Sequence, residues 1–203
     1  MPLQNRVTPF GEIVAHPARG MFMGNRGILH DSGRRLHPTR RWTHKTWICC
    51  LCAFRGRRRV PMTPGRYTEL FFLDEATALA AGHRPCFECR RADAKRFAAC
   101  WADGNGGPQP SARDMDTVLH EERLDGKDKR LHPSPDALPD GAMVAAEDRA
   151  WLVLGGRFLP WSLEGYGAGA AEPSGLKLLT PPSIVRALAA GYRPALHPSA
   201  FGD

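Results

Sequence analysis

Two Cys-x-x-Cys pairs, Cys49-x-x-Cys52 and Cys86-x-x-Cys89, constrain this chain more than any other feature. Each pair lets one backbone turn aim two thiolates at a single ion, and two pairs complete the tetrahedron that Zn²⁺ prefers. The 33 residues between the pairs must then fold back to bring their ends together. Five cysteines fall within 41 residues, which is hard to reconcile with isolated thiols buried as small apolar side chains. A redox Cys-x-x-Cys opens a helix after a strand in a thioredoxin-like βαβ pattern, and that pattern is absent. The expected ligands are Cys49, Cys52, Cys86 and Cys89, with Cys50 or His44 able to replace a member of the first pair. Cys100 sits among apolar helix neighbours and is expected in the core.

No apolar run approaches the roughly 18 residues that cross a bilayer, and the first twenty residues contain no apolar h-region. The expectation is a soluble, cytoplasmic protein, in which thiols stay reduced and serve metals rather than disulfides. At 203 residues, with 42% hydrophobic and 24% charged side chains, the chain can bury a core without covalent staples. Gly and Pro together number 39, which predicts many turns and short elements.

Local signals are clearest between Tyr67 and Trp101. Tyr67–Leu73 is rich in aromatic and β-favouring residues and predicts a strand. Asp74 is a natural N-cap for a helix over Glu75–Ala81, and Gly82 stops it. A second helix is expected from Arg91 to Trp101. Residues 1–48 show no period and read as an irregular arm, in which Trp42 and Trp47 suit either a core or base stacking. Residues 103–112, DGNGGPQPSA, read as a linker. Beyond it come a helix over Met115–Leu124, strands over Ala142–Ala146 and Ala150–Leu154, and a hairpin turning at Gly155-Gly156. A strand over Leu176–Thr180 and a helix over Pro182–Ala190 follow. The expected class is α+β: a small irregular zinc-stabilised module over residues 1–102, and a hairpin-rich α+β unit over 113–203. ALAAGHRPC and ALAAGYRPA echo each other, which shared helix-stop chemistry explains. Leu-His-Pro-Ser/Thr recurs around His37, His132 and His197, where turns serve as well as ligation.

Charge divides the chain. Residues 1–102 carry 18 Lys/Arg against 7 Asp/Glu, and residues 103–203 carry 10 against 14. Between Ser32 and Thr68 stand ten basic residues, nine of them Arg, and no acid. Such a block faces a polyanion, and the guanidinium fork suits phosphate. The expected partner is nucleic acid, DNA before RNA, contacted by Arg55, Arg57, Arg58, Arg59, Arg84, Arg90 and Arg91. The acidic C-terminal half offers a surface for a protein partner.

The stretch FLDEATALAAGHRPCFECRR, Phe72–Arg91, resembles the N-terminal zinc-binding module of Ada-type DNA repair proteins over about residues 45–100. Helix, Gly82, Arg84, Pro85, Cys86 and Cys89 match in order. The resemblance implies zinc ligation by Cys86 and Cys89, basic residues contacting DNA phosphates, and one earlier cysteine accepting a methyl group from a phosphotriester. The chain departs from the family in the spacing of its first pair and in the basic insertion at Arg55–Pro64. It also lacks the family's helix-turn-helix and its second alkyl-acceptor motif.

Three functions compete on these grounds. The first is a zinc-binding, nucleic-acid-binding protein connected with DNA repair or damage response. The second is an enzyme on a phosphodiester or alkylated phosphate, either an Ada-like methyl acceptor or a metal-dependent nuclease. A nuclease would draw on His30, Asp31, Glu69, Asp74, Glu75, His83 or Glu88. The third is a structural zinc module for protein interaction.

Overall fold

A computed structural model describes residues 1–57 and 60–202. Arg58 and Arg59, both expected phosphate contacts, lie outside the described residues. The class is α+β, with two main sheets and four α-helices among the described residues.

The first sheet has six strands: β1 (Gln4–Val7), β2 (Ile13–Ala15), β3 (Phe22–Asn25), β4 (Ile48–Leu51), β5 (Leu70–Phe72) and β6 (Arg84–Pro85). Their spatial order is β2-β1-β5-β3-β4-β6, antiparallel except for β1 with β5 and β4 with β6. Residues 1–48 are therefore not an irregular arm, for they supply half of this sheet. Their strands are three or four residues long, too short for alternation to rise above the surrounding Gly and Pro.

Helix α1 (Glu75–Ala80) follows β5, and Asp74 caps it by accepting from Thr77 N–H at 2.9 Å. Every residue of α1 is buried. Its small side chains let it pack from all sides: Ala78 lies with Leu70 and Phe72, Ala76 and Ala80 with Met143 and Leu152, and Leu79 with Phe97 and Val144. Gly82 ends the helix at φ +83°, with Gly82 N–H bonded to Leu79 O and His83 N–H to Ala78 O. Gly191 and Tyr192 make the same two bonds to Leu188 and Ala187 after the last helix. The sequence echo is this shared Schellman stop, used twice.

Helix α2 (Arg91–Asn105) and helix α3 (Ala112–Arg123) follow, the latter closed by a capping box between Ser111 and Asp114. Strands β7 (Leu124–Asp125) and β8 (Asp128–Lys129) form a small hairpin. The second sheet is antiparallel throughout, with β9 (His132–Pro133), β10 (Met143–Ala146), β11 (Arg149–Leu154), β12 (Arg157–Pro160) and β13 (Lys177–Leu178) in the order β12-β11-β10-β13-β9. The turn at Gly155-Gly156 has both φ values positive, as a two-residue hairpin of this kind requires. Helix α4 (Pro182–Ala189) and a 3₁₀ turn (Pro198–Phe201) complete the chain.

The expected linker at 103–112 does not separate two bodies. Helix α2 runs on to Asn105 and packs along α4 so closely that a Cβ on Gly104 would lie 2.3 Å from Arg186 O. Gly104 is there for helix approach rather than for flexibility. The largest apolar cluster joins Leu79, Phe97 and Trp101 to Met115, Val144, Ile184 and Leu188, so both halves share one core. No helix among the described residues is long and apolar enough to cross a membrane.

Candidate metal centre

Adjacent residues of a strand point to opposite faces, and β4 carries Cys49 and Cys50 side by side. Cys49 turns into the core with Leu70, Phe72 and Ala78, where Arg90 Nη1 reaches its sulfur at 3.5 Å. Burial pushes the Cys49 thiol well up, with Glu75 adding to the effect. Cys50 turns the other way, toward the turn that follows β6.

That turn is built by Pro85, whose extended backbone pairs β6 parallel to β4. Cys86 N–H donates to Cys49 O at 3.0 Å, and Arg90 N–H donates to Cys86 O at 3.0 Å. The knuckle so formed places the sulfurs of Cys50, Cys86 and Cys89 within 4.8 Å of one another. Three thiolates at about 2.3 Å from a tetrahedral ion would stand roughly 3.8 Å apart, so the set fits a metal with little movement. The three cysteines can hold a metal ion.

Backbone donors favour thiolates here. Glu88 N–H points at Cys86 Sγ and Leu51 N–H at Cys89 Sγ, each at 3.4 Å. The hydrogen bond from Cys50, helped by these amides, draws Cys86 down to about 5 and lowers Cys89 as well. Cys50 is raised because its proton serves both neighbours. A metal held by the three sulfurs would take the place of that proton.

The expected ligand set therefore changes in its first pair. Cys86 and Cys89 converge, Cys50 joins them, and Cys49 faces away. Cys52 is not part of the cluster: past the end of β4 its thiol donates to Met21 O at 3.4 Å. Among the described residues no fourth Cys, His, Asp or Glu joins the three sulfurs. His44 is exposed, and Cys100 is half-buried against the main core.

The sulfurs line a cavity of about 210 Å³ together with Cys52, Asn25, Arg57, Tyr67, Glu69 and Glu88. Glu69 is buried and accepts from Met62 N–H at 2.7 Å. Arg57 pairs with Glu88 at 3.0 Å on the protein surface. The other acid–base candidates have structural employment. Asp74 caps α1 and accepts from Tyr166 Oη at 2.8 Å. Glu75 binds Arg90, His83 stacks against Trp47 and Phe72, and His30 bonds Thr68. Asp31 is exposed and holds the backbone N–H of Arg35 at 2.9 Å. His37 and His197 accept backbone N–H groups of their own turns, at Thr39 and Ser199.

Two expected phosphate contacts are withdrawn. Arg84 is buried in a two-pronged pair with Asp116, both bonds 2.8 Å, and Arg90 is buried between Glu75 and Asp93. Both fix α2 and α3 to the knuckle instead of facing solvent. Arg55, Arg57 and Arg91 are exposed, as are Arg35, Arg40, Lys45 and Arg66 from the acid-free block. A scan against protein-family models finds no match, and neither do searches of curated proteins and of solved structures.

Proposed function

We propose that the chain is a zinc-binding protein that binds nucleic acid, DNA in preference to RNA, in repair or damage response in the cytoplasm. Cys50, Cys86 and Cys89 would hold the ion. The observation that carries this reading is the three-sulfur cluster lining a cavity, in a chain half that carries 18 Lys/Arg against 7 Asp/Glu. Thiolates select soft or borderline ions, and Zn²⁺ suits such a set without redox chemistry. The likeness of Phe72–Arg91 to Ada-type zinc modules supports the same partner.

Binding should weaken steeply with salt. If Arg35, Arg40, Lys45, Arg55 and Arg66 each meet a phosphate, the log–log slope is about −4.5 on duplex DNA. Fluorescence anisotropy over a salt series reads it, with RNA of the same sequence as the comparison. Arg40→Glu combined with Arg55→Glu lowers affinity at least tenfold, while Arg113→Glu on the exposed face of α3 leaves it unchanged. Affinity indifferent to salt would contradict the reading.

An enzymatic reading has one observation in its favour. Three protein ligands leave a fourth position, and catalytic zinc sites keep such a position open. Here it would face the cavity that Glu69 shares, so a bound water would have a carboxylate on the same wall. In the methyl-acceptor version, a thiolate sulfur takes the methyl carbon as the O–CH₃ bond breaks, leaving a phosphodiester anion.

A further inference from the structure

A second cavity, of about 350 Å³, shares no lining residue with the first. Its wall includes Arg26, Arg123 and Lys129 beside Trp42 and Trp47. Arg26 and Arg123 are 2% and 1% exposed, and their guanidinium carbons lie 4.0 and 3.8 Å from the centre of a Trp47 ring. Two buried cations on one indole call for a compensating charge, since burying an unpaired ion is costly.

No carboxylate pairs with them directly, and Asp116, which acts on Arg123 from beyond ion-pair distance, is already held by Arg84. Among the described residues, none of Arg26, Arg123 and Lys129 is in an ion pair. Their acceptors are neutral. Arg26 Nη1 donates to Gly11 O at 2.9 Å and Nε to His83 Nε2 at 3.4 Å. Arg123 donates to Gly82 O at 2.9 Å and Lys45 O at 2.7 Å, and Lys129 Nζ to Ala80 O at 2.5 Å. Two buried donors, Arg26 Nη2 and Arg123 Nε, have no acceptor among the described residues. Burial, with repulsion from Arg123 and Arg41, brings Arg26 down to about 9; burial brings Arg123 to about 9 against an opposing pull from Asp116, and burial beside them brings Lys129 to about 7. Arg41 and Lys127 add charge to the lining, and Glu12 and Asp128, both exposed, are its acids.

We propose that this cavity binds a phosphate monoester, with Arg26, Arg123 and Lys129 as its cationic wall and the half-buried Trp42 as the ledge for the group the phosphate carries. A phosphate dianion supplies the missing charge and accepts from the idle guanidinium donors. The volume exceeds what phosphate alone fills and lies in the range of small-molecule sites, roughly 300–1,000 Å³. Trp42, half-buried on the wall, gives the remaining space a stacking surface suited to a nucleobase, while Trp47 beneath it is taken up by the two guanidiniums. The ligand is thus a nucleoside monophosphate or the phosphorylated end of a nucleic-acid strand.

Thermal unfolding with a nucleoside 5′-monophosphate tests the site. A hundredfold excess over Kd raises the Tm by about 5–10 °C, and the same nucleoside without phosphate does not. A 5′-phosphorylated oligonucleotide compared with its 5′-hydroxyl twin separates the two sources. A phosphate-dependent rise with the oligonucleotide alone assigns the site to strand ends, and one with the mononucleotide assigns it to free nucleotides. Arg26→Met removes an uncompensated charge, so the ligand-free Tm stays level or rises while the ligand-induced rise disappears; a purely structural arginine would give a lower Tm and an unchanged response. Lys129→Gln, at a half-buried position, weakens mononucleotide binding at least tenfold in calorimetry. No phosphate-dependent rise in the parent protein, or a full rise in both variants, overturns the proposal.

Discussion

If Cys50, Cys86 and Cys89 hold a metal ion, replacing Cys50 by alanine is expected to abolish metal binding, whereas replacing Cys49 by alanine is expected to leave one ion per chain. The two thiols are neighbours in sequence, yet one strand face separates them. Cys50 shares a 4.8 Å cluster with Cys86 and Cys89, while Cys49 sits in the apolar layer with Leu70 and Phe72. Losing a direct ligand costs more than losing an outer partner, which already lowers metal affinity roughly 10–100-fold. Elemental mass spectrometry after dialysis against a competing chelator reads the difference. Metal retained by Cys50→Ala and lost by Cys49→Ala would reverse the assignment.

Glu75→Ala destabilises the fold by about 3–5 kcal/mol, the range for breaking a buried ion pair and leaving one charge behind. Glu75 is 1% exposed and its carboxylate serves several partners. Arg90 Nη1 and Nη2 each approach at 2.8 Å, Tyr192 Oη donates at 2.6 Å and Ala195 N–H at 2.9 Å. One side chain therefore ties α1, the knuckle and the C-terminal segment together. For a chain of this size the Tm should fall by about 6–20 °C. Arg57→Ala provides the contrast, because its pair with Glu88 is 46% and 59% exposed and such pairs contribute about 0–1 kcal/mol. A fall of less than about 2 °C for Glu75→Ala would contradict this account of the core.

Much of the local structure was legible from Asp74 onward, because the signals there are short-range. A cap, a run of small helix formers and a glycine stop specify α1 within nine residues, and Gly155-Gly156 between apolar runs specifies a hairpin. Cys86 and Cys89 were readable for the same reason, since Pro85 and the two-residue spacing fix the knuckle locally. What escaped depends on pairing across long separations. Strand β1 lies beside β5, with Arg6 opposite Phe71, and nothing in four residues announces that neighbour. The choice between Cys49 and Cys50 is a choice of strand face, which register decides and spacing does not. A count of basic residues shows charge without partners, so it does not reveal that Asp116 and Glu75 hold Arg84 and Arg90. The basic cavity was hidden likewise, because Arg26, Trp47 and the stretch from Arg123 to Lys129 come from three separate parts of the chain.

The most direct test of the central claim is X-ray absorption at the metal edge of the protein as purified. One zinc per chain, with three sulfur neighbours at about 2.3 Å and one oxygen or nitrogen at about 2.0–2.2 Å, is the expected result. Four sulfurs would bring Cys52 into the site and close the fourth position. No bound metal would leave Cys50, Cys86 and Cys89 as a cluster of thiols and contradict the account outright.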